Sequence, residues 1–289
     1  MSGPVVVATD LSDPSERAVR EALQLARRFG AEIVLVHVTP LIEPRTGHAW
    51  LDPTLTDRYN QELDKELART REALAGLRQR HLSKGVDISV SLVSGEVDEA
   101  IAKAAEDCDA QLIVVGARGR GHFDGLLIGG VAAHVSRFTT RDVLIARNAQ
   151  PSREFRRVLL ATDFSEAASY AFEAALRLAA ERATLTIFHS LELVYTSRQL
   201  VEELSQAAKA HAEELASQAR ARGLVVELEI SQAHPGSAIS ELSATSELVV
   251  IGSHGRRGFR RFVMGSLAEQ AVRHATCSVY IARRSRASN

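Results

Sequence analysis

Short apolar runs alternate along the chain with segments of helical period. In the first half the runs fall at 4–9, 32–38, 86–92, 111–116 and 142–147 and are rich in Val, Ile and Leu. That pattern suits parallel strands buried on both faces. Between the first two runs, Ala18, Ala22, Leu25, Ala26 and Phe29 share one helical face. Ser12 is placed to cap that helix, Pro14 fits its first turn, and Gly30 suits its C-terminal end. A longer charged helix is predicted over 57–83, with a partner near 197–222. The stretch 40–56, with three prolines and Trp50, reads as a loop or lid. Strand and helix in this alternation predict an α/β fold, a doubly wound parallel sheet with helices on both faces.

The pattern occurs twice. Val5-Val6-Val7-Ala8-Thr9-Asp10-Leu11-Ser12 returns as Val158-Leu159-Leu160-Ala161-Thr162-Asp163-Phe164-Ser165. The run ending in His37 returns as the run ending in His189, and Gly95 is matched to Gly236. Gly116, Gly119 and Gly129 return as Gly252, Gly255 and Gly265, and Ala146-Arg147 returns as Ala282-Arg283. A repeat of this length implies two domains. The polar stretch 148–152, which contains Pro151, sets their limits at 1–148 and 153–289. The apolar fifth runs, Val143-Leu144-Ile145 and Val279-Tyr280-Ile281, are where the two copies are expected to join. A further two-fold dimer of the whole chain is a weaker expectation.

Composition narrows the function classes. Hydrophobic residues make up 45% and charged residues 25%, the balance of a globular protein. With 35 basic and 36 acidic side chains the net charge is −1, which gives no clustered excess for a nucleic-acid backbone. Cys108 and Cys277 form no CxxC pair, and the ten histidines show no HExxH spacing, so neither a disulfide framework nor a zinc site is expected. No run approaches the length of a membrane span or a signal-peptide core, so no membrane is expected as a partner and a cytoplasmic location follows.

Ligands of open α/β sheets bind beyond the carboxyl ends of the strands. Asp10 and Asp163 sit there, each open to two readings: a carboxylate that holds a nucleoside, or a residue of the turn before a helix. His37 and His189 close the second strand of each copy and are expected to bond backbone rather than ligand. After the fourth strand of the second copy comes a glycine-rich loop, Gly252 to Ser266, with His254 and four arginines, and then a helix. Glycines admit close backbone approach, and a helix N-terminus offers unpaired N–H groups to phosphate. Ser266 is placed to donate to a phosphate or to cap that helix. Phe259, Phe262 and Met264 are read as packing residues.

The run G-x2-G-x9-G-S, at Gly252, Gly255, Gly265 and Ser266, resembles the ATP-binding motif of the universal stress protein family. The V-x-x-A-x-D patterns at Val158, Ala161 and Asp163 and at Val5, Ala8 and Asp10 resemble the same family. The resemblance covers nearly the whole chain as a tandem pair. It implies two Rossmann-like, adenine nucleotide α-hydrolase-like domains, each a five-stranded parallel sheet, with ATP, ADP or AMP across the strand ends. It also implies that Asp163 holds the adenosine and that Ser190 meets the adenine through its backbone. Gly252 and Gly255 would line ribose and phosphate, with His254 beside them, and Gly265, Ser266 and Leu267 would face the phosphates. Any Mg2+ would be carried by the nucleotide.

In the first copy Ala8, Asp10, Val38, Gly116, Gly119 and Gly129 keep the pattern. There Gly130 replaces the hydroxyl residue, and Asp124 and Gly125 stand where the second copy has Arg260 and Arg261. The first site is therefore expected to be degenerate. The chain has no GxxxxGK[ST] loop and no legible catalytic set, so a nucleotide-binding regulatory or stress-response protein is the leading reading. A slow ATPase or nucleotidyl-transfer enzyme is the alternative, and an interaction protein that binds no nucleotide is the third.

Overall fold

The computed structural model describes residues 3–39, 53–82, 85–119, 128–148, 154–191, 197–253 and 264–283. The first half runs β1 (Val5–Ala8), α1 (Asp13–Phe29), β2 (Ile33–Thr39), α2 (Pro53–His81), β3 (Ile88–Ser94), α3 (Val97–Asp107), β4 (Leu112–Gly116), α4 (Gly130–Phe138) and β5 (Asp142–Ala146). The second runs β6 (Phe155–Ala161), α5 (Glu166–Leu178), β7 (Ala179–Ser190), α6 (Arg198–Ala221), β8 (Val225–Ser231), α7 (Pro235–Ala244), β9 (Leu248–Gly252), α8 (Ser266–His274) and β10 (Ser278–Ala282). Helix α2 starts at Pro53, so the last residues of the expected 40–56 loop are helical. Positions 40–52 lie outside the described residues.

The ten strands form one sheet in the order β3-β2-β1-β4-β5-β10-β9-β6-β7-β8. Each half is therefore a doubly wound, Rossmann-like sheet of five parallel strands, and its strand order reverses between the first and fourth strands. Side chains alternate between the two faces. Val5, Val7, Leu112 and Val114 pack under α1, while Val6, Ile113 and Val115 pack in the layer of α3 and α4. The second half repeats this, with Leu248 and Val250 on one face and Val249 and Ile251 on the other. Strands buried on both faces need near-continuous apolar runs, which is why the sequence was legible.

Strand β10 pairs antiparallel with β5, with Tyr280 opposite Leu144. The seam is reciprocal. The Arg147 N–H donates to Ser278 Oγ at 2.9 Å, and the Arg283 N–H donates to Asp142 Oδ1 at 2.7 Å. The Arg147 guanidinium donates to the Val272 carbonyl, and that of Arg283 to the Ser136 carbonyl. One element breaks the symmetry. Glu21, on α1, is buried at the seam and accepts from Ser278 Oγ at 2.9 Å and Asn148 Nδ2 at 3.2 Å. Burial raises its pKa to about 8, against the lowering pull of those two donors. Its counterpart on α5 is Ala174, also buried.

The register corrects one matched pair. Val97 and Pro235 each open a helix, and His37 and His189 face Leu92 and Ile230 on the neighbouring strands. Gly95 therefore corresponds to Ala233. Gly236, its expected partner, lies inside the first turn of α7, whereas Gly95 has φ +145° before α3. A glycine shared by sequence drift had concealed a helix that starts at the same place in both copies.

Candidate functional site

Both halves build the same turn between the first strand and its helix. The N–H of Ser12 donates to Asp10 Oδ1, and that of Ser165 to Asp163 Oδ1, each at 3.0 Å. The intervening residues, Leu11 and Phe164, adopt left-handed backbones with φ 63° and 58°. A residue with a Cβ is strained there. A buried threonine holds each in place: Thr9 Oγ1 accepts from the Leu11 N–H at 3.1 Å, and Thr162 Oγ1 from the Phe164 N–H at 3.0 Å. Ser12 and Ser165 then cap α1 and α5, contacts that contribute about 1 kcal/mol each. The two acids thus have a turn function in full. A carboxylate with about four acceptor sites keeps capacity for a ligand as well.

The strand-two histidines are duplicated with equal fidelity. Nδ1 of His37 lies 2.7 Å from the Thr9 carbonyl, and Nδ1 of His189 lies 2.7 Å from the Thr162 carbonyl. A carbonyl only accepts, so each Nδ1 carries the proton. The Phe164 ring packs on His189 with centroids 4.6 Å apart. Thr9, Thr162 and the strained residues after the acids went unnoticed in the sequence, although the repeated T-D-x-S signalled them.

The clefts open at the points where the strand order reverses. The second, about 160 Å³, is lined by Ala161, Asp163, Ser190, Gly252, Gly265, Ser266 and Leu267, with Thr162, His189 and Pro235. The first, about 390 Å³, is lined by Ala8, Asp10, Val38, Gly116, Gly119, Gly129 and Gly130, with Arg118 and the apolar Val97, Ile101, Val115 and Val131. The expected residues therefore converge in both halves. His254 and Gly255, the arginines after them, and Asp124 lie outside the described residues.

Two glycines prove to be packing glycines. A Cβ on Gly252 would come within 2.7 Å of the Ala167 carbonyl oxygen, and one on Gly116 within 3.1 Å of the Pro14 carbonyl oxygen. They let the first turns of α5 and α1 approach the sheet. A Cβ on Gly119 would meet Asp10 Oδ2 at 2.8 Å, so this glycine fits against the acid. Gly129 differs, because its nearest neighbours would stand 3.5 Å or more from a Cβ, and its φ of −75° suits any residue. Nothing among the described residues demands a glycine there.

Gly129 and Gly265 are the N-cap residues of α4 and α8, and neither supplies a side-chain cap. Ser266 is the first residue of its helix, so of its two expected roles capping is ruled out. Helices α1, α5, α6 and α7 do carry side-chain caps, from Ser12, Ser165, Ser197 and His234. Among the described residues no side chain caps the first N–H groups of α4 and α8, and the starts of both helices line the clefts, where a helix N-terminus carries partial positive charge. Among the described residues no group of three or more His, Cys, Asp or Glu could hold a metal ion, and no helix is long and apolar enough to cross a membrane.

Comparison with known proteins gives a consistent result. The profile described as "Universal stress protein family" matches residues 1–147 and 154–283. A universal stress protein of Mycolicibacterium smegmatis is 26% identical over 289 residues, 96% of each chain. Universal stress protein YxiE of Bacillus subtilis is 30% identical over 151 residues, 51% of this chain and 100% of its own. Among solved structures, a universal stress protein from Archaeoglobus fulgidus DSM 4304 matches with a TM-score of 0.66 at 22% identity, over 99% of this chain and 100% of that one. That last likeness concerns the fold.

Proposed function

The chain belongs to the universal stress protein family, and from that premise we propose that it is an adenine-nucleotide-binding regulatory protein of the stress response, with its principal site in the second half. One observation carries the reading. The N-terminus of α8, which no side chain caps among the described residues, shares with Gly265 and Ser266 a cleft that also holds Asp163 and Ser190. A nucleotide needs an anion site at one end and hydrogen-bonding groups for its nucleoside at the other, and this cleft offers both.

In this reading the N–H groups of Ser266 and Leu267 and the Ser266 hydroxyl bind phosphate oxygens. Asp163 accepts from ribose hydroxyls while keeping its bond to Ser165, and the backbone at Ser190 meets the adenine. Gly252 serves the site by letting α5 approach. His254 and Gly255 complete the phosphate loop in sequence. ATP, ADP and AMP are the candidate ligands, and any Mg2+ arrives with the phosphates. The functional unit is an intrachain pseudo-dimer of residues 1–148 and 153–289 acting in the cytoplasm, with no nucleic acid or membrane as partner.

Calorimetric titration of the whole chain with ATP, ADP and AMP tests this. One dominant site per chain is expected, with binding lost when the second cleft is altered. Two equal sites, or no heat with any of the three, would overturn the reading. Release of ADP and phosphate at a steady rate would favour the enzyme alternative.

A further inference from the structure

The first cleft, of about 390 Å³, is large enough for a small ligand, and much of its wall is hydrocarbon. Val36, Ile101 and Val115 line it from the core of the α3 and α4 layer, each 2% exposed or less. Val97 and Val131, in the first turns of α3 and α4, line it as well and are 38% and 39% exposed. Aliphatic side chains that are exposed and line a cavity of this size favour an occupant that takes them out of water.

The polar side chains of the same wall are engaged in the turn after β1. Thr9 Oγ1 accepts from the Leu11 N–H and lies 3.0 Å from Ser15 Oγ, and Ser15 Oγ donates to the Ser12 carbonyl at 2.8 Å. Asp10 Oδ1 accepts from the Ser12 N–H, and a Cβ on Gly119 would stand 2.8 Å from Asp10 Oδ2. Nδ1 of His37 is held by the Thr9 carbonyl. Arg118 is the one lysine or arginine among the described residues that line the cleft, and among the described residues it is in no ion pair.

Three positions described in both halves set this cleft apart. Val36 pairs with Ala8 and Phe188 with Ala161, so the first half has a valine where the second has a fully buried aromatic ring. Val38 stands where the second half has Ser190, and Gly130 where it has Ser266. Each exchange leaves space or hydrocarbon in the first half in place of a ring or a hydroxyl.

We propose that the first cleft binds a small apolar monocarboxylate, an alkanoate of medium chain length, with its hydrocarbon body against the valines and its carboxylate on Arg118. A guanidinium matches a carboxylate in two-point geometry. A single negative charge suits a wall that carries one arginine and also the carboxylate of Asp10, which repels ligands of higher charge. This ligand class goes beyond the nucleotide reading, which concerns the second cleft.

The test is calorimetric titration of the full chain with hexanoate and octanoate at constant ionic strength. One saturable site per chain is expected, with octanoate bound about tenfold more tightly than hexanoate, at roughly fourfold per buried methylene. Val36→Phe installs the residue that the second half holds at the same register position, and should weaken octanoate binding by about tenfold or more. Val131→Asp, at an exposed position in the first turn of α4 where an acid suits the helix, should weaken it by a similar factor. Thermal melts check that both variants fold, and ATP binding in the second cleft should be unchanged in both. Arg118→Gln should weaken octanoate by about tenfold and leave octan-1-ol unaffected, which assigns the carboxylate to that guanidinium. No saturable alkanoate binding, equal affinity for the two chain lengths, or indifference to both Val36→Phe and Val131→Asp would overturn the proposal. So would loss of octanoate binding in Gly265→Val. Failure of ATP to bind would instead overturn the nucleotide reading alone, because the two clefts share no residue.

Discussion

The two clefts share a backbone and differ at their rims. The turn after the first strand, its left-handed residue and the histidine-to-carbonyl bond are repeated almost without change. The residues facing the ligand space are not. Ser266 at the start of α8 is matched by Gly130 at the start of α4, and Ser190 by Val38. Pro235 is matched by Val97, while Arg118 stands where the second half has His254. The first cleft is also the larger and has a more aliphatic wall. What is duplicated is a folding device. A shared acid therefore does not distinguish the two halves, and the rims do.

The sharpest way to break this comparison is Gly265→Val. The backbone there has φ −64°, so a side chain brings no backbone strain, and a thermal melt checks that the variant folds. ATP affinity should fall by about 100-fold or more, as the side chain blocks approach to the α8 N–H groups. Gly129→Val should leave the dominant heat of ATP binding intact. Equal losses in both variants would show that the halves are functionally equivalent.

Gly252→Ala separates packing from binding. Its Cβ would press on the Ala167 carbonyl, so the variant should be destabilised by about 2 kcal/mol in a denaturant titration. Gly129→Ala should be neutral. If Gly252→Ala weakened ATP binding with full stability, that glycine would belong to the ligand after all.

Glu21, whose counterpart is Ala174, makes the seam respond to pH. Its folded pKa of about 8 lies above the usual 4.5, so between those values the folded state holds a proton that the unfolded state has released. Its contribution is fully present at low pH and is lost as pH rises toward 8, with a slope of at most about 1.4 kcal/mol per pH unit. Glu21→Gln keeps an acceptor for Ser278 and should flatten this dependence in melts from pH 5 to 9. Parallel curves for wild type and variant would show that Glu21 stays ionised in the fold.

The smallest effects test the rim itself. Ser266→Ala should weaken ATP binding by roughly threefold to tenfold, the range of one hydrogen bond to a charged group in a partly solvated site. Gly130→Ser with Asp124→Arg should strengthen the first site by a similar factor, read by the same titration. No gain there would mean that the aliphatic wall, rather than the missing hydroxyl, sets the first cleft's preference.

The sequence by itself determined the layers and most of the residues that line the two clefts. Strands buried on both faces need unbroken apolar runs, so β1, β4, β9 and the Val158–Ala161 part of β6 could be read directly from Val, Ile and Leu. Local chemistry fixed the caps: Ser12, Pro14 and Gly30 act within one turn of their own positions, and their roles needed no distant partner. Gly265 and Ser266 were legible because their spacing before a helix is itself local. What only the tertiary structure decided involves surfaces that meet from far apart in the chain. Gly252 is a packing glycine because α5 crosses it, and Gly95 lost its apparent partner once neighbouring strands fixed the register. Glu21, an ordinary surface letter in a helical pattern, became a buried acid because Ser278 and Asn148 close over it. Arg17, Arg118 and Arg147 come to line one cavity beside the paired β5 and β10, a grouping that residues so far apart in the chain do not show in sequence.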